Sequence, residues 1–164
     1  MSSEEIMETR VLFVCMGNIC RSPTAEAVFR HQVGMAGVDK QLYIDSAGTH
    51  SYHIGAPPDE RAQSAAQRRG YDMKALRARQ VQISDFEMFH HILAMDDDNL
   101  ALLQQQCPPQ YSNKIGLLMQ HSKKFTGRKE VPDPYFGGNQ GFEEVLDMVE
   151  EAGLELLNHI LNKK

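Results

Sequence analysis

The sequence has no tryptophan and only three cysteines, Cys15, Cys20 and Cys107. An odd, unevenly spaced set of this kind argues against the disulfide framework of a small secreted domain and leads us to expect a reducing cytoplasm. No apolar run approaches the ~20 residues that a membrane-spanning helix needs, so no membrane insertion is expected. Met1 to Thr9 is acidic and lacks the apolar centre of a signal peptide, which reads as a short disordered tail over 1–9. Positive charge is in deficit as well: 17 Lys and Arg against 22 Asp and Glu leave a net charge of -5. Such a balance gives no general attraction to nucleic acid or to anionic membranes, so any phosphate-binding site must be local. His/Cys/Asp spacing suited to a metal is missing too, since the adjacent His90 and His91 would point to opposite faces of a strand. Neither a metal nor a cofactor is expected. Around Gly17 there is neither the glycine pattern of a dinucleotide fold nor the Gly-Lys-Ser/Thr of a nucleotide loop. Repeats and linkers are also absent. The 164 residues, 41% hydrophobic, suit one domain over 10–164.

What is present is concentrated in Val11-Leu12-Phe13-Val14-Cys15-Met16-Gly17-Asn18-Ile19-Cys20-Arg21-Ser22-Pro23-Thr24. Four apolar, β-prone residues run into Cys15, and Ser22-Pro23 reads as an N-cap followed by proline in the first helical turn. The six residues Met16 to Arg21 must turn the chain between them. In such a turn the backbone N–H groups of Met16, Gly17, Asn18, Ile19 and Cys20 can converge, and the helix adds the positive end of its dipole. The result is a cup for a phosphate-like dianion. Cys15 stands at its base, where the same positive field favours a thiolate nucleophile. Arg21 closes it with a guanidinium that matches a tetrahedral oxyanion through two parallel hydrogen bonds.

In chain order, Thr24 to about Ala36 has helical spacing and Leu42 to Ala47 alternates as a second strand. Thr49 to Pro58, with His50, Tyr52, His53, Gly55, Pro57 and Pro58, reads as an exposed loop. Asp59 caps a helix reaching Arg69, and Ser84-Asp85-Phe86-Glu87 reads as a capping box opening another. His91 to Met95 is a third strand. Asp96-Asp97-Asp98-Asn99 reads as the solvated start of a further helix. Lys114 to Met119 is a fourth strand, and Gly141 to about Leu161 carries an apolar stripe suited to a final helix. Alternating strands and helices predict an α/β fold with a doubly wound, four-stranded parallel sheet of order 2-1-3-4. The order reverses beside Cys15, at the crevice where such sheets bind ligands.

Val-Cys-x-Gly-Asn-x-Cys-Arg-Ser-Pro, together with Asp133-Pro134-Tyr135, resembles the low-molecular-weight protein tyrosine phosphatases. The resemblance implies hydrolysis of protein phosphotyrosine and small aryl phosphates through a phosphocysteine on Cys15. Arg21 would stabilise the transferring phosphoryl group, and Asp133, stiffened between two prolines, would be the general acid and then base. Asn18 and the hydroxyl of Ser22 are expected to hold the loop and the Cys15 sulfur, and Ser46 resembles the serine that braces this asparagine. Many members carry histidine shortly before Ala78-Arg79-Gln80, whereas this chain has Leu76, which implies an incomplete brace. Cys20 resembles the second cysteine that pairs reversibly with the nucleophile under oxidation. Met16, Ile19, Tyr52, His53, Tyr135 and Phe136 are expected to wall a slot deep enough for a phenyl ring. Partners implied are a phosphotyrosine protein and, in a bacterium, a cognate tyrosine kinase, with the enzyme a monomer or weak homodimer. Two rivals use the same cup. An arsenate reductase needs further relay cysteines, and Cys107 stands alone. A catalytically silent phospho-binding module has no need of Cys15, Arg21 and Asp133 together.

Overall fold

The computed structural model describes residues 8–135 and 138–162. Its centre is β1 (Thr9–Cys15), whose apolar run is buried from Val11 onward. Alternate side chains leave a strand on opposite faces, so β1 feeds two cores at once. Val11, Phe13 and Cys15 join the core on one face, while Leu12 and Val14 join that on the other. β1 pairs in parallel with β2 (Leu42–Gly48) on one side, from Thr9 opposite Leu42 to Cys15 opposite Gly48. On its other side it pairs in parallel with β3 (His91–Ala94), which in turn carries β4 (Ile115–Leu117). The order is therefore β2-β1-β3-β4, all parallel, and it reverses at the end of β1.

The larger core holds α1 (Arg21–Met35), α2 (Glu60–Arg68) and α5 (Asn139–Asn162), with Phe29, Val33, Phe142, Leu146, Val149 and Leu156 buried. The smaller lies under α3 (Ile83–Met88) and α4 (Asp97–Gln106), around Phe86, Phe89 and Leu103. Helices thus cover both faces, as parallel strands require.

Several boundaries differ from the sequence reading for identifiable reasons. The expected tail over 1–9 lies outside the described residues for 1–7, and Thr9 is already paired in β1. Helix α1 begins at Arg21, not Thr24, so Pro23 falls within its first turn, where a missing N–H costs nothing. Ser22 is consequently not the cap, and its hydroxyl points inward. The expected box at Ser84 and Glu87 is replaced by one two residues earlier, in which the Gln82 N–H donates to the Asp85 carboxylate at 2.8 Å. Strand β4 stops at Leu117 because the Leu117 N–H donates to Gln120 Oε1 and the chain winds into a 3₁₀ turn over Leu118–His121.

Candidate active site

The reversal of strand order leaves an open crevice beyond the carboxyl end of β1, and the loop 16–20 fills it. The loop is tied from outside through its carbonyls. Thr49 and His50 donate their N–H groups to the carbonyls of Cys15 and Met16, and Asp59 donates to that of Ile19. Among the described residues, none of the N–H groups of residues 16–20 has an acceptor within the protein. Unpaired donors beside the start of a helix are an arrangement that can receive an anion.

Asn18 sets the curvature of the loop. It has φ 59°, in the left-handed region that asparagine tolerates better than most residues. Its buried amide uses every hydrogen-bonding direction but one. Nδ2 donates to Ser22 Oγ at 2.8 Å and to Ser46 Oγ at 3.0 Å, while Oδ1 accepts from the Arg79 N–H at 3.0 Å. Ser22 Oγ in turn lies 3.0 Å from Cys15 Sγ. Because Ser22 already accepts from Asn18, its own proton has two acceptors within reach, the Cys15 sulfur at 3.0 Å and, farther off, the Ala47 carbonyl at 3.4 Å. Leu76 packs against the core, and the contact to Asn18 Oδ1 comes from the Arg79 backbone.

Behind Ser46 stands a group that sequence reasoning missed. Ser46 Oγ donates to Glu26 Oε1 at 2.7 Å, and the other Glu26 oxygen accepts from Arg30 at 2.8 Å. Burial pushes the Glu26 carboxyl above its ordinary range, against the opposing hydrogen bonds from Ser46 and Arg30. Ser46 donates to Glu26, which leaves its oxygen free to accept from Asn18. Nothing in the sequence marks it, since a glutamate four residues before an arginine in a helix has an ordinary solvated reading.

Arg21 is nearly fully buried, and its guanidinium is oriented by two acceptors. Nη1 donates to Asp96 Oδ2 at 2.6 Å and to the Val131 carbonyl at 3.0 Å. Nη2 lies 3.7 Å from Asp133 Oδ2. Burial pulls the Arg21 pKa down, but Cys15, Asp96 and Asp133 outweigh it and the net shift is upward, so the charge is secure. Asp96 is thus no solvated helix start. One oxygen caps α4 by accepting from the Asn99 N–H at 2.8 Å, and the other holds Arg21.

Asp133 follows Val131, which is tethered by its N–H to the Met95 carbonyl at 2.7 Å. Its Oδ1 accepts from the Tyr135 N–H at 3.0 Å, turning the other oxygen toward Arg21. Cys15, Met16, Gly17, Ile19, Cys20, Arg21, Tyr52, His53, Asp133 and Tyr135 line one cleft of about 220 Å³. Asn18, Ser22 and Ser46 lie behind the loop. Phe136, the remaining rim residue named from sequence, is outside the described residues. His53 packs so closely on Gly17 that a Cβ there would lie 2.9 Å from its ring, which joins the aromatic loop to the floor of the cleft.

The sequence model of the low molecular weight phosphotyrosine protein phosphatases matches residues 10–164. The chain belongs to this family. As a member it is a protein-tyrosine-phosphatase, a hydrolase. A Synechocystis protein assigned to these phosphatases is 46% identical over 152 residues, covering 92% of this chain and 96% of its own. YfkJ of Bacillus subtilis, a low molecular weight protein-tyrosine-phosphatase, is 39% identical over 154 residues, 94% of this chain and 97% of its own. In structure, a protein tyrosine phosphatase from Entamoeba histolytica with Hepes in its active site superposes with a TM-score of 0.91 at 41% identity, over 94% of this chain and 97% of that one.

The phosphatase keeps its three cysteines free. Cys20, at the wall of the cleft, has its thiol pKa pushed far up by burial and by the negative groups around it, Asp59 foremost. A thiol held protonated in this way is a poor nucleophile. Cys107 is buried at the end of α4, remote from the cleft lining, and burial raises its pKa as well.

Proposed function

We propose that this phosphatase hydrolyses protein phosphotyrosine, and small aryl phosphates, by a two-step mechanism through Cys15. The observation that carries the reading is the meeting of Cys15, Arg21 and Asp133 on one cleft beside a loop of unpaired N–H groups. The Cys15 sulfur attacks phosphorus in line, forming an S–P bond as the P–O bond to the phenol breaks. The loop N–H groups and Arg21 take up the charge spread over the equatorial oxygens. Asp133 gives its proton to the departing phenolate oxygen. Now ionised, it takes a proton from water as that water attacks the phosphocysteine, releasing inorganic phosphate and the free thiolate. Ser22, polarised through Asn18, Ser46 and Glu26, donates to the sulfur and steadies it as a leaving group.

The apolar wall of Met16, Ile19, Tyr52 and Tyr135 favours an aromatic phosphoester over the shorter phosphoserine, whose phosphorus would stop short of Cys15. Arsenate reduction is disfavoured because Cys107 is buried in the smaller core and does not line the cleft. Peroxide is expected to convert Cys15 and Cys20 to a reversible disulfide. The working setting is the cytoplasm, with a phosphotyrosine protein and a cognate tyrosine kinase as partners and the enzyme a monomer or weak homodimer. The test is turnover of phosphotyrosine peptide, phosphoserine peptide and an aryl phosphate by wild type, Cys15→Ser and Asp133→Asn. Cys15→Ser should be inactive yet folded, and Asp133→Asn should lose most of its rate on tyrosine esters. Wild-type rates in Cys15→Ser would refute the mechanism.

A further inference from the structure

The loop that carries Asp133 is tied to the rest of the fold on both sides of it. Pro132 and Pro134 have no N–H to give, and Asp133 itself is about one-third exposed. Upstream it is anchored at Val131, by Met95 and Arg21. Downstream, a side chain from α2 reaches it. Arg61 of α2 donates from Nη2 to the Tyr135 carbonyl at 3.0 Å, and its guanidinium lies 5.4 Å from the Tyr135 ring and 4.9 Å from the Phe142 ring of α5. Tyr135 is the residue whose N–H fixes the Asp133 carboxylate.

Arg61 is itself aimed by a rigid partner. Asp59 takes its guanidinium in a fork, Nε to Oδ1 at 3.1 Å and Nη2 to Oδ2 at 2.9 Å, while also capping α2. The Asp59 N–H is the group that donates to the Ile19 carbonyl of the anion loop at 2.8 Å. A continuous set of short contacts therefore runs from the anion loop through Asp59 and Arg61 to Tyr135 and the Asp133 carboxylate. We infer that Arg61 is a positioning residue that sets the distance between the acid and the anion loop. This rests on Asp133 being the general acid, as proposed above. A planar fork that hydrogen-bonds a carboxylate and a carbonyl while stacking on two rings is a task for arginine that lysine does not perform.

A structural role alone would lower stability and affect every substrate alike. A role through Asp133 affects substrates according to how much their leaving group needs a proton. kcat/KM, which reports transfer to Cys15, should therefore fall about tenfold for phenyl phosphate and phosphotyrosine peptide, whose phenol has a pKa of about 10. For a nitrophenyl phosphate, whose phenolate leaves with little help, it should change less than about threefold. kcat should fall on both, because Asp133 also activates the water of the second step. Arg61→Met keeps the apolar stem and removes the fork, and Arg61→Lys keeps the charge, so the two variants should behave alike. Thermal melting confirms that each is folded. In an Asp133→Asn background, Arg61→Met should bring no further loss on phenyl phosphate. Equal losses in kcat/KM on both esters, or no loss in it, in variants that melt like wild type would overturn the assignment of Arg61 alone, provided Asp133→Asn shows the leaving-group dependence in kcat/KM. Absence of that dependence in Asp133→Asn would remove the acid assignment, and the positioning role with it.

Discussion

Asp96 performs two tasks with two oxygens, and the tasks can be separated by substitution. Oδ1 caps α4 and Oδ2 orients Arg21. Asp96→Ser keeps a good N-cap but is too short to reach the guanidinium, whereas Asp96→Ala loses both. A hydrogen bond to a charged group contributes about 1.5–3 kcal/mol, against about 1 kcal/mol for a neutral one. Arg21 retains the Val131 carbonyl, so we expect a loss of about 1.5–2 kcal/mol in transition-state stabilisation from Asp96→Ser, or roughly 10- to 30-fold in kcat/KM on phosphotyrosine peptide. Asp96→Asn, which keeps the cap and a neutral acceptor, should lose less, about threefold. Stability should sort differently: Ser and Asn close to wild type, Ala lower by about 1 kcal/mol. The assay pairs steady-state kinetics with urea unfolding for all three variants, and adds competitive inhibition by inorganic phosphate. Opposing this is the repulsion between the Asp96 carboxylate and a bound dianion, which every variant relieves. If phosphate binds more tightly to Asp96→Ser and kcat/KM is unchanged, repulsion outweighs orientation and the reasoning fails. It also fails if activity follows unfolding free energy across the three.

Two further outcomes follow from close contacts and burial. Gly48 ends β2 where an added Cβ would lie 2.7 Å from the Met16 carbonyl and 3.2 Å from that of His50, so Gly48→Ala must displace the anion loop. It should cost about 1–3 kcal/mol in urea unfolding and lower kcat, and a variant with wild-type kcat would show the loop to be more yielding than its contacts imply. His121 faces His159 across 5.3 Å, and burial first, then His159, lowers its pKa below the ordinary 6.5. A depressed histidine binds fewer protons folded than unfolded. Stability is therefore fully present above 6.5 and is lost as pH falls through the lower folded value. Urea midpoints should decline over that window in wild type and less so in His121→Gln, and parallel declines would assign the effect elsewhere.

The frame of the fold was legible because each of its strands is a local pattern. Val11 to Cys15 announces a buried strand without reference to anything distant, and the alternation of strands and helices restricts the sheet order. Boundaries were less so, since they turn on single side chains reaching along the chain. Gln120 ends β4 early, and Asp85, not Glu87, closes the cap of α3. Within the cleft, Cys15 and Arg21 share one short motif and Asp133 has its own proline frame, so their types and spacing named them. Asp96, Glu26, Arg79 and Arg61 carry no such mark. An aspartate at a helix start, a glutamate within a helix, an arginine in the first turn of a helix and one in a basic connector all have ordinary solvated readings. Only the fold brings Asp96 to Arg21, from 75 positions away, or Arg61 to Tyr135, from 74.

These distant partners hold three parts of the site, which also touch one another through Arg21 and through Asp59 and Arg61. The anion loop is braced from behind through Asn18 by Ser46, Glu26 and the Arg79 backbone. Asp96 at the start of α4 holds Arg21, and Arg61 of α2 holds the loop of Asp133. Arg79 links the first part to the fold at large, since its guanidinium pairs with Asp45 at 3.1 Å and Asp85 at 2.9 Å while its N–H reaches Asn18. Positive φ at Asn18 is a strained choice that the surroundings must over-determine to keep. Three hydrogen bonds from three separate elements do so, and none of them involves position 76. A histidine lost there is therefore compatible with an intact loop. The same reasoning assigns the burden of the brace to Ser46: Ser46→Ala leaves one Asn18 amide proton and one Glu26 oxygen unpaired in the interior, each costing about 1–3 kcal/mol, more for the charged one. It should slow turnover by loosening Asn18 and Ser22 while leaving Arg21 and Asp133 where they are.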